Sequence, residues 1–223
     1  MCSDRRARPR RLSATLGCLA VALAAAGCST SGVEPHVSET VDPLRRVVQI
    51  VTTACGDSSR TTGTGVLIGQ GRVLTAAHVV IGADELRLGR GEGEPMFEAR
   101  PVVIDTVRDL AILVPESDPN PSLPPVELVD VSGGDAVVMA GMFGDVAGDH
   151  AGAKALSFVE VVRPVLMTVD EVRSSRRVMR SGYELAARIL GGDSGSGVFD
   201  DRGRLTAIIF AEPTRRDVTA FAV

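Results

Sequence analysis

The stretch LGGDSGSGVFD, residues 190–200, sets Gly191, Gly192 and Gly195 around one aspartate and one serine, directly ahead of an apolar run. Glycine loses more backbone freedom on folding than any other residue, so a cluster of them beside a strand-like sequence marks a shape that other residues resist. The run that follows, SGVFD (196–200), belongs to a series that includes RRVVQIVTT (45–53), ELRLG (85–89), DLAILVP (109–115), DAVVMAGM (135–142) and LTAIIFA (205–211). These runs are short, β-branched and bounded by Gly, Pro or Asp, a rhythm that predicts antiparallel strands in a sandwich or barrel. GQG (69–71) between VLI and VLTAA reads as a tight hairpin turn with a positive φ available at either glycine. The segment 169–185, VDEVRSSRRVMRSGYEL, fits a short helix or a charged hairpin with a solvated arginine face.

Composition supports an all-β class. Of 223 residues, 44% are hydrophobic but only 3% aromatic, with no tryptophan, so the core must come from Val, Ile, Leu and Ala. At 23% charged the chain is too polar for a multi-span membrane protein. Removing residues 1–27, which carry five arginines, leaves 19 basic and 27 acidic residues, a formal charge of −8. An acidic chain of this kind argues against nucleic acid as a partner.

The N-terminus reads as an address. RRARPRR (5–11) is a positive n-region, residues 12–27 are apolar but short for a bilayer span, and AAGC (25–28) ends them with small residues. This resembles a bacterial lipoprotein signal peptide covering 1–27, although Ala25 stands where leucine is commonest. The resemblance implies diacylglyceryl attachment at Cys28, fatty acylation of the new N-terminus and anchoring on the extracytoplasmic face of a bacterial membrane. An ordinary secretory signal cut nearby and an uncleaved anchor are the alternatives. Residues 28–43 then form a flexible tether containing a solvated His36. Once Cys2 and Cys18 leave and Cys28 is acylated, Cys55 has no intramolecular partner and reads as a small buried residue or, alternatively, a reactive thiol.

Chemistry concentrates in VLTAAHVV (73–80) with His78, VRDLAILVP (107–115) with Asp109, and GGDSGSG (191–197) with Ser194. A serine hydroxyl is a weak nucleophile at neutral pH and needs an adjacent base, for which imidazole, with an unperturbed pKa of about 6.5, is suited. A buried carboxylate then fixes the imidazole tautomer and stabilises its transient charge. The motifs TAAH, RDLAIL and GDSG, in that order, resemble those of trypsin-like serine peptidases of the chymotrypsin superfamily, in its bacterial secreted and HtrA-like branches. The resemblance implies an all-β fold of two six-stranded antiparallel β-barrels over 44–223, crossing near 118–128, with the active site at their interface. It assigns His78 as general base, Asp109 as its orienter and Ser194 as nucleophile of a peptide-hydrolysing enzyme working through an acyl-enzyme. The amides of Gly192 and Ser194 form the oxyanion hole, and Asp193 stabilises that loop through a cation, here assigned to Arg163.

Three positions depart from the family pattern. Gly197 replaces a frequent proline, which should loosen the turn. Phe210 falls where relatives carry a small polar residue that hydrogen-bonds the aspartate, a role then left to Thr206 or a backbone group. Arg188, six residues before Ser194, falls at the base of the specificity pocket, where it favours an acidic substrate side chain or pairs with Asp193 or Glu212. Given Arg188 and Phe210, the rival reading is a trypsin-like lipoprotein that has lost turnover and serves as a binding or scaffold module. No cofactor is expected, and no metal: His36, His78 and His150 are far apart, and GDVAGDH (144–150) lacks the ligand spacing of a calcium loop.

Overall fold

A computed structural model of the chain describes residues 41–54, 60–91, 93–143, 153–211 and 220–223. Cys28, His36, Cys55, His150 and Glu212 lie outside the described residues, and with them the signal-peptide, acylation and thiol readings.

The first half builds β1 (Val47–Thr53), β2 (Arg60–Gly69), β3 (Arg72–Ala76), a helical turn α1 (Ala77–Val80), β4 (Glu85–Gly89), β5 (Met96–Asp105) and β6 (Leu110–Pro115). These strands close antiparallel in the order β1-β2-β3-β6-β5-β4. In β6 buried and partly exposed residues alternate, the period-two signature of a strand with one face inward. The β2–β3 turn takes positive φ at Gly69, Gln70 and Gly71 (98°, 54° and 65°), so the non-glycine shares the left-handed conformation that the sequence assigned to its flanking glycines.

The second half builds β7 (Ala136–Phe143), β8 (Ala153–Asp170), β9 (Arg177–Leu185), β10 (Gly197–Phe199), β11 (Leu205–Ala211) and β12 (Ala220–Ala222). They close as a ring, β10-β11-β12-β9-β8-β7. The fold is all-β, as the strand rhythm and the family resemblance imply. Between the rings the chain crosses through residues 116–135. Val126 N–H donates to Ile68 O (3.2 Å), Leu205 N–H donates to Glu127 O (2.8 Å), and buried Arg46 donates to Leu67 O and Pro124 O (3.0 and 3.1 Å).

Apolar packing joins the rings. A cluster of Val47 and Val66 from the first and Ala140, Met142, Phe199 and Ile208 from the second is buried throughout. Phe199 is fully enclosed, which contributes about 2–3 kcal/mol of transfer free energy. Gly197, read from sequence as a loosened turn, instead opens β10 opposite Ala140 and Ile208. A Cβ there would meet the Phe199 ring at 2.6 Å, so the missing side chain serves packing.

The segment 169–185 takes the hairpin form. Strands β8 and β9 pair from Val161↔Leu185 to Asp170↔Arg177, with a bulge between Val161 and Arg163. Beyond that bulge Val165, Met167 and Val169 are half-buried while their neighbours are exposed, so the ribbon shows one face to protein and one to water. Its tip rests on the first barrel, where Thr106 Oγ1 donates to Glu171 Oε1 (2.6 Å) and Arg173 donates to Ile81 O (2.9 Å).

Candidate active site

Strand β3 ends at Ala76, and α1 turns His78 away from the barrel wall while burying Ala77, Val79 and Val80. Two backbone donors lock this turn onto Asp109: Ala77 N–H to its carbonyl (3.0 Å) and His78 N–H to Oδ1 (2.8 Å). The other carboxylate oxygen, Oδ2, lies 2.8 Å from His78 Nδ1. An ionised carboxylate can only accept, so this contact puts the ring proton on Nδ1 and leaves Nε2 as the basic nitrogen. The His78 side chain is 36% exposed and that of Asp109 4%, which leaves the imidazole accessible and keeps its partner dry.

Asp109 is not inside the strand, as the RDLAIL motif suggests. It closes the turn 106–109 with φ 60°, and β6 begins at Leu110. Aspartate tolerates this left-handed conformation better than most residues. Asp105 holds the turn from the other side, accepting from Val107 N–H (3.0 Å) and Arg108 N–H (2.8 Å). The Arg108 amide and guanidinium hold the Asp105 carboxyl below its ordinary pKa.

The cation beside Asp109 was not foreseen. Arg180, on β9, is buried, donates from Nε to Val107 O (2.9 Å) and brings Nη1 within 3.6 Å of Asp109 Oδ2. Its guanidinium lies over the Phe210 ring, 4.5 Å from the centroid. Phe210 therefore supports a charge where the family resemblance implies a polar side chain. Thr206 does not substitute: its hydroxyl is buried with no hydrogen-bond partner among the described residues, and its residue lines a separate cavity with Leu74 and Leu128.

The Ser194 loop is tied differently. Asp193 N–H donates to Leu190 O (3.1 Å), and Leu190 N–H returns a bond to Asp193 Oδ2 (2.7 Å). Ser196 N–H donates to Asp193 O (2.9 Å) and Gly195 N–H to Ile209 O (2.8 Å). With the Asp193 carbonyl held on one side, planarity sends the Ser194 N–H to the other. Among the described residues the amides of Gly192 and Ser194 have no acceptor. Positive φ is confined to Gly192 and Gly195 (98° and 90°), and Gly191 does not share it.

Thr64, fully buried on β2, links this loop to the first barrel. Its N–H donates to Ser194 O (2.8 Å), and its hydroxyl donates to Gly192 O (2.9 Å) while accepting from Met142 N–H (3.1 Å). Its own carbonyl accepts from Thr75 Oγ1 (2.6 Å) on β3, the strand that leads to His78. Neighbouring Gly63 makes room for both partners, since a Cβ there would stand 2.6 Å from Val79 Cγ1 and 3.3 Å from Ser194 O. No sequence signal marked Thr64 as the joint.

Of the other assigned residues, Arg163 is a correction: its Nε is paired with Glu184 (2.8 Å) and its side chain is 68% exposed, because it lies on the solvent side of the β8–β9 ribbon. Arg188 is exposed between buried Ala187 and Ile189. Phe210 lines, with His78, Asp109, Arg180 and the hairpin tip, an open cavity of about 760 Å³.

A family model described as a trypsin-like peptidase domain matches residues 63–208. Serine protease Rv3671c of Mycobacterium tuberculosis is 32% identical over 166 residues, which are 72% of this chain and 38% of that protein. The chain thus spans about two fifths of the relative's length. The crystal structure of the Rv3671c protease in its active form superposes with a TM-score of 0.72 at 26% identity, covering 81% of this chain and 76% of that one. The HtrA-type protease AlgW with a tripeptide, at 21% identity and a TM-score of 0.62 over 82% of this chain and 57% of its own, shares the fold.

Proposed function

The chain belongs to the trypsin-like peptidase domain family, and on that premise we propose that it is a serine endopeptidase acting through Ser194, His78 and Asp109. The observation that carries the reading is the 2.8 Å contact between His78 Nδ1 and buried Asp109, in a cavity open to solvent. His78 Nε2 takes the Ser194 hydroxyl proton as Oγ attacks a peptide carbonyl carbon. The resulting oxyanion meets the amides of Gly192 and Ser194, a contribution worth about 3–4 kcal/mol per donor in such sites. The imidazolium then gives its proton to the departing amine, leaving an ester on Ser194 that water hydrolyses by the reverse sequence. Asp193 stabilises the loop, and Arg188 favours substrates with an acidic side chain at the primary subsite.

A fluorophosphonate probe should label the wild-type chain and not Ser194→Ala. Equal labelling of the two overturns the assignment, and absence of both labelling and casein hydrolysis leaves a binding or scaffold module on the same barrels. We further propose that Cys28 carries the lipid anchor that holds the enzyme on the outer face of a bacterial membrane. Metabolic incorporation of an alkyne fatty acid, lost in Cys28→Ala, tests it, and unchanged incorporation in the variant refutes it.

A further inference from the structure

Arg180 is an expensive residue for its position. Its side chain is 3% exposed, its Nη2 is buried with no hydrogen-bond partner among the described residues, and its approach to Asp109 at 3.6 Å is too long for a hydrogen bond. Burying a cation with so incomplete a set of partners costs stability, and replacing such pairs by apolar residues is frequently neutral or favourable. Burial pushes the Arg180 pKa down and the Asp109 carboxylate opposes that, but a guanidinium stays charged throughout the physiological range. What the charge does reach is Asp109 Oδ2, the same oxygen that His78 Nδ1 contacts at 2.8 Å.

We propose that Arg180 is a positioning residue that competes with protonated His78 for the Asp109 carboxylate, and so keeps the imidazole unprotonated, as a base, to lower pH. This deepens the peptidase reading and rests on it for its catalytic meaning. The carboxylate stabilises an imidazolium, and a second, permanent cation on the same oxygen weakens that stabilisation. Packing over Phe210 and the Nε bond to Val107 O hold the charge in place, and β9 delivers it from the second barrel.

Among the described residues the other charges around the cavity are paired or solvated. Asp170 pairs with Arg177 (3.8 Å), Glu171 with Arg176 (2.7 Å) and Asp105 with Arg108 (2.8 Å). Arg173 is exposed and donates to Ile81 O. Each of these charges has a compensating partner or water beside it, whereas Arg180 acts on Asp109 through protein.

The test follows the His78 ring by NMR in the full chain carrying 13C-labelled histidine, with its signal assigned by its loss in His78→Gln. Arg180→Met keeps an apolar stem against Phe210 and removes the charge. Its His78 midpoint should rise by about one pH unit, while Arg180→Lys stays within a few tenths of wild type. The acid limb of fluorophosphonate labelling should move up by the same amount in Arg180→Met. A purely structural role would lower the labelling plateau and leave both midpoints in place, and that result overturns the proposal, as does an equal shift in the Met and Lys variants. Should Arg180→Met not fold, Arg180→Gln gives the same reading. The ring titration needs no turnover, so a wild-type chain that is never labelled at Ser194 refutes the peptidase reading while the titration still decides whether Arg180 biases His78.

Discussion

Asp109 and Ser194 each sit in a tight turn beside a strand, with positive φ nearby, yet different forces hold them. The Asp109 turn is held by charge: its carboxylate takes two bonds from His78 and faces a buried guanidinium. The Ser194 turn is held chiefly by main-chain bonds, with the Asp193 carboxylate accepting from Leu190 N–H and Thr64 joining it to the first barrel. Changes at the first should therefore alter reactivity more than stability, and changes at the second should do the reverse until the amides themselves shift.

The largest test of this contrast is Asp109→Asn. It should lower the rate of Ser194 labelling about 10³–10⁴-fold by favouring the wrong imidazole tautomer, with thermal unfolding displaced by only a few degrees. A comparable loss of stability would erase the distinction between the turns. Gly195→Ala should behave oppositely, because its φ of 90° strains alanine and the new Cβ overlaps the Thr64 carbonyl and the Thr75 hydroxyl. Urea titration should show a loss of about 3 kcal/mol, and a loss under about 1 kcal/mol would mean the loop can move aside. Thr64→Val is nearly isosteric and strands the Gly192 carbonyl and the Met142 amide, so it should cost roughly 2 kcal/mol. A labelling rate that falls by the same factor at every pH would place its effect on the amides and not on the base.

The smallest effect concerns the hairpin tip. Hydrogen bonds from Arg176 and then Thr106 lower the Glu171 pKa to about 2, from an ordinary value of 4.5. A lowered carboxylate contributes stability above its unfolded pKa and loses it as pH falls through the folded value. Amide protection in residues 171–176, corrected for intrinsic exchange, should thus decline between about pH 4.5 and 2, and Glu171→Gln should lack that decline. A flat profile in the wild type would show that the tip is held by its backbone alone.

What the sequence disclosed follows from how local the chemistry is. His78, Asp109 and Ser194 stand in motifs whose neighbours constrain the same few residues, and the glycines at 192 and 195 announce their backbone directly. Arg180 was hidden because Arg173, Arg176, Arg177 and Arg180 resemble one solvated face in RSSRRVMR (173–180). Only pairing with β8 and contact with Val107, far away along the chain, turn the last of them inward. Thr64 was hidden for a related reason, since its partners at 142, 192 and 194 lie well along the chain from it. Arg163 failed because a bulge at the base of the ribbon sends it to solvent beside Glu184. Long-range register decides burial of charge, and composition does not encode register.

The crossing at 116–135 divides the working parts unevenly in time. During synthesis the ribosome releases His78 and Asp109 long before Arg180 and Ser194, so a half-made chain holds the proposed base without the proposed nucleophile. On the peptidase proposal, assembly of the last strands brings in the remaining catalytic groups, so a nascent copy cannot cut another.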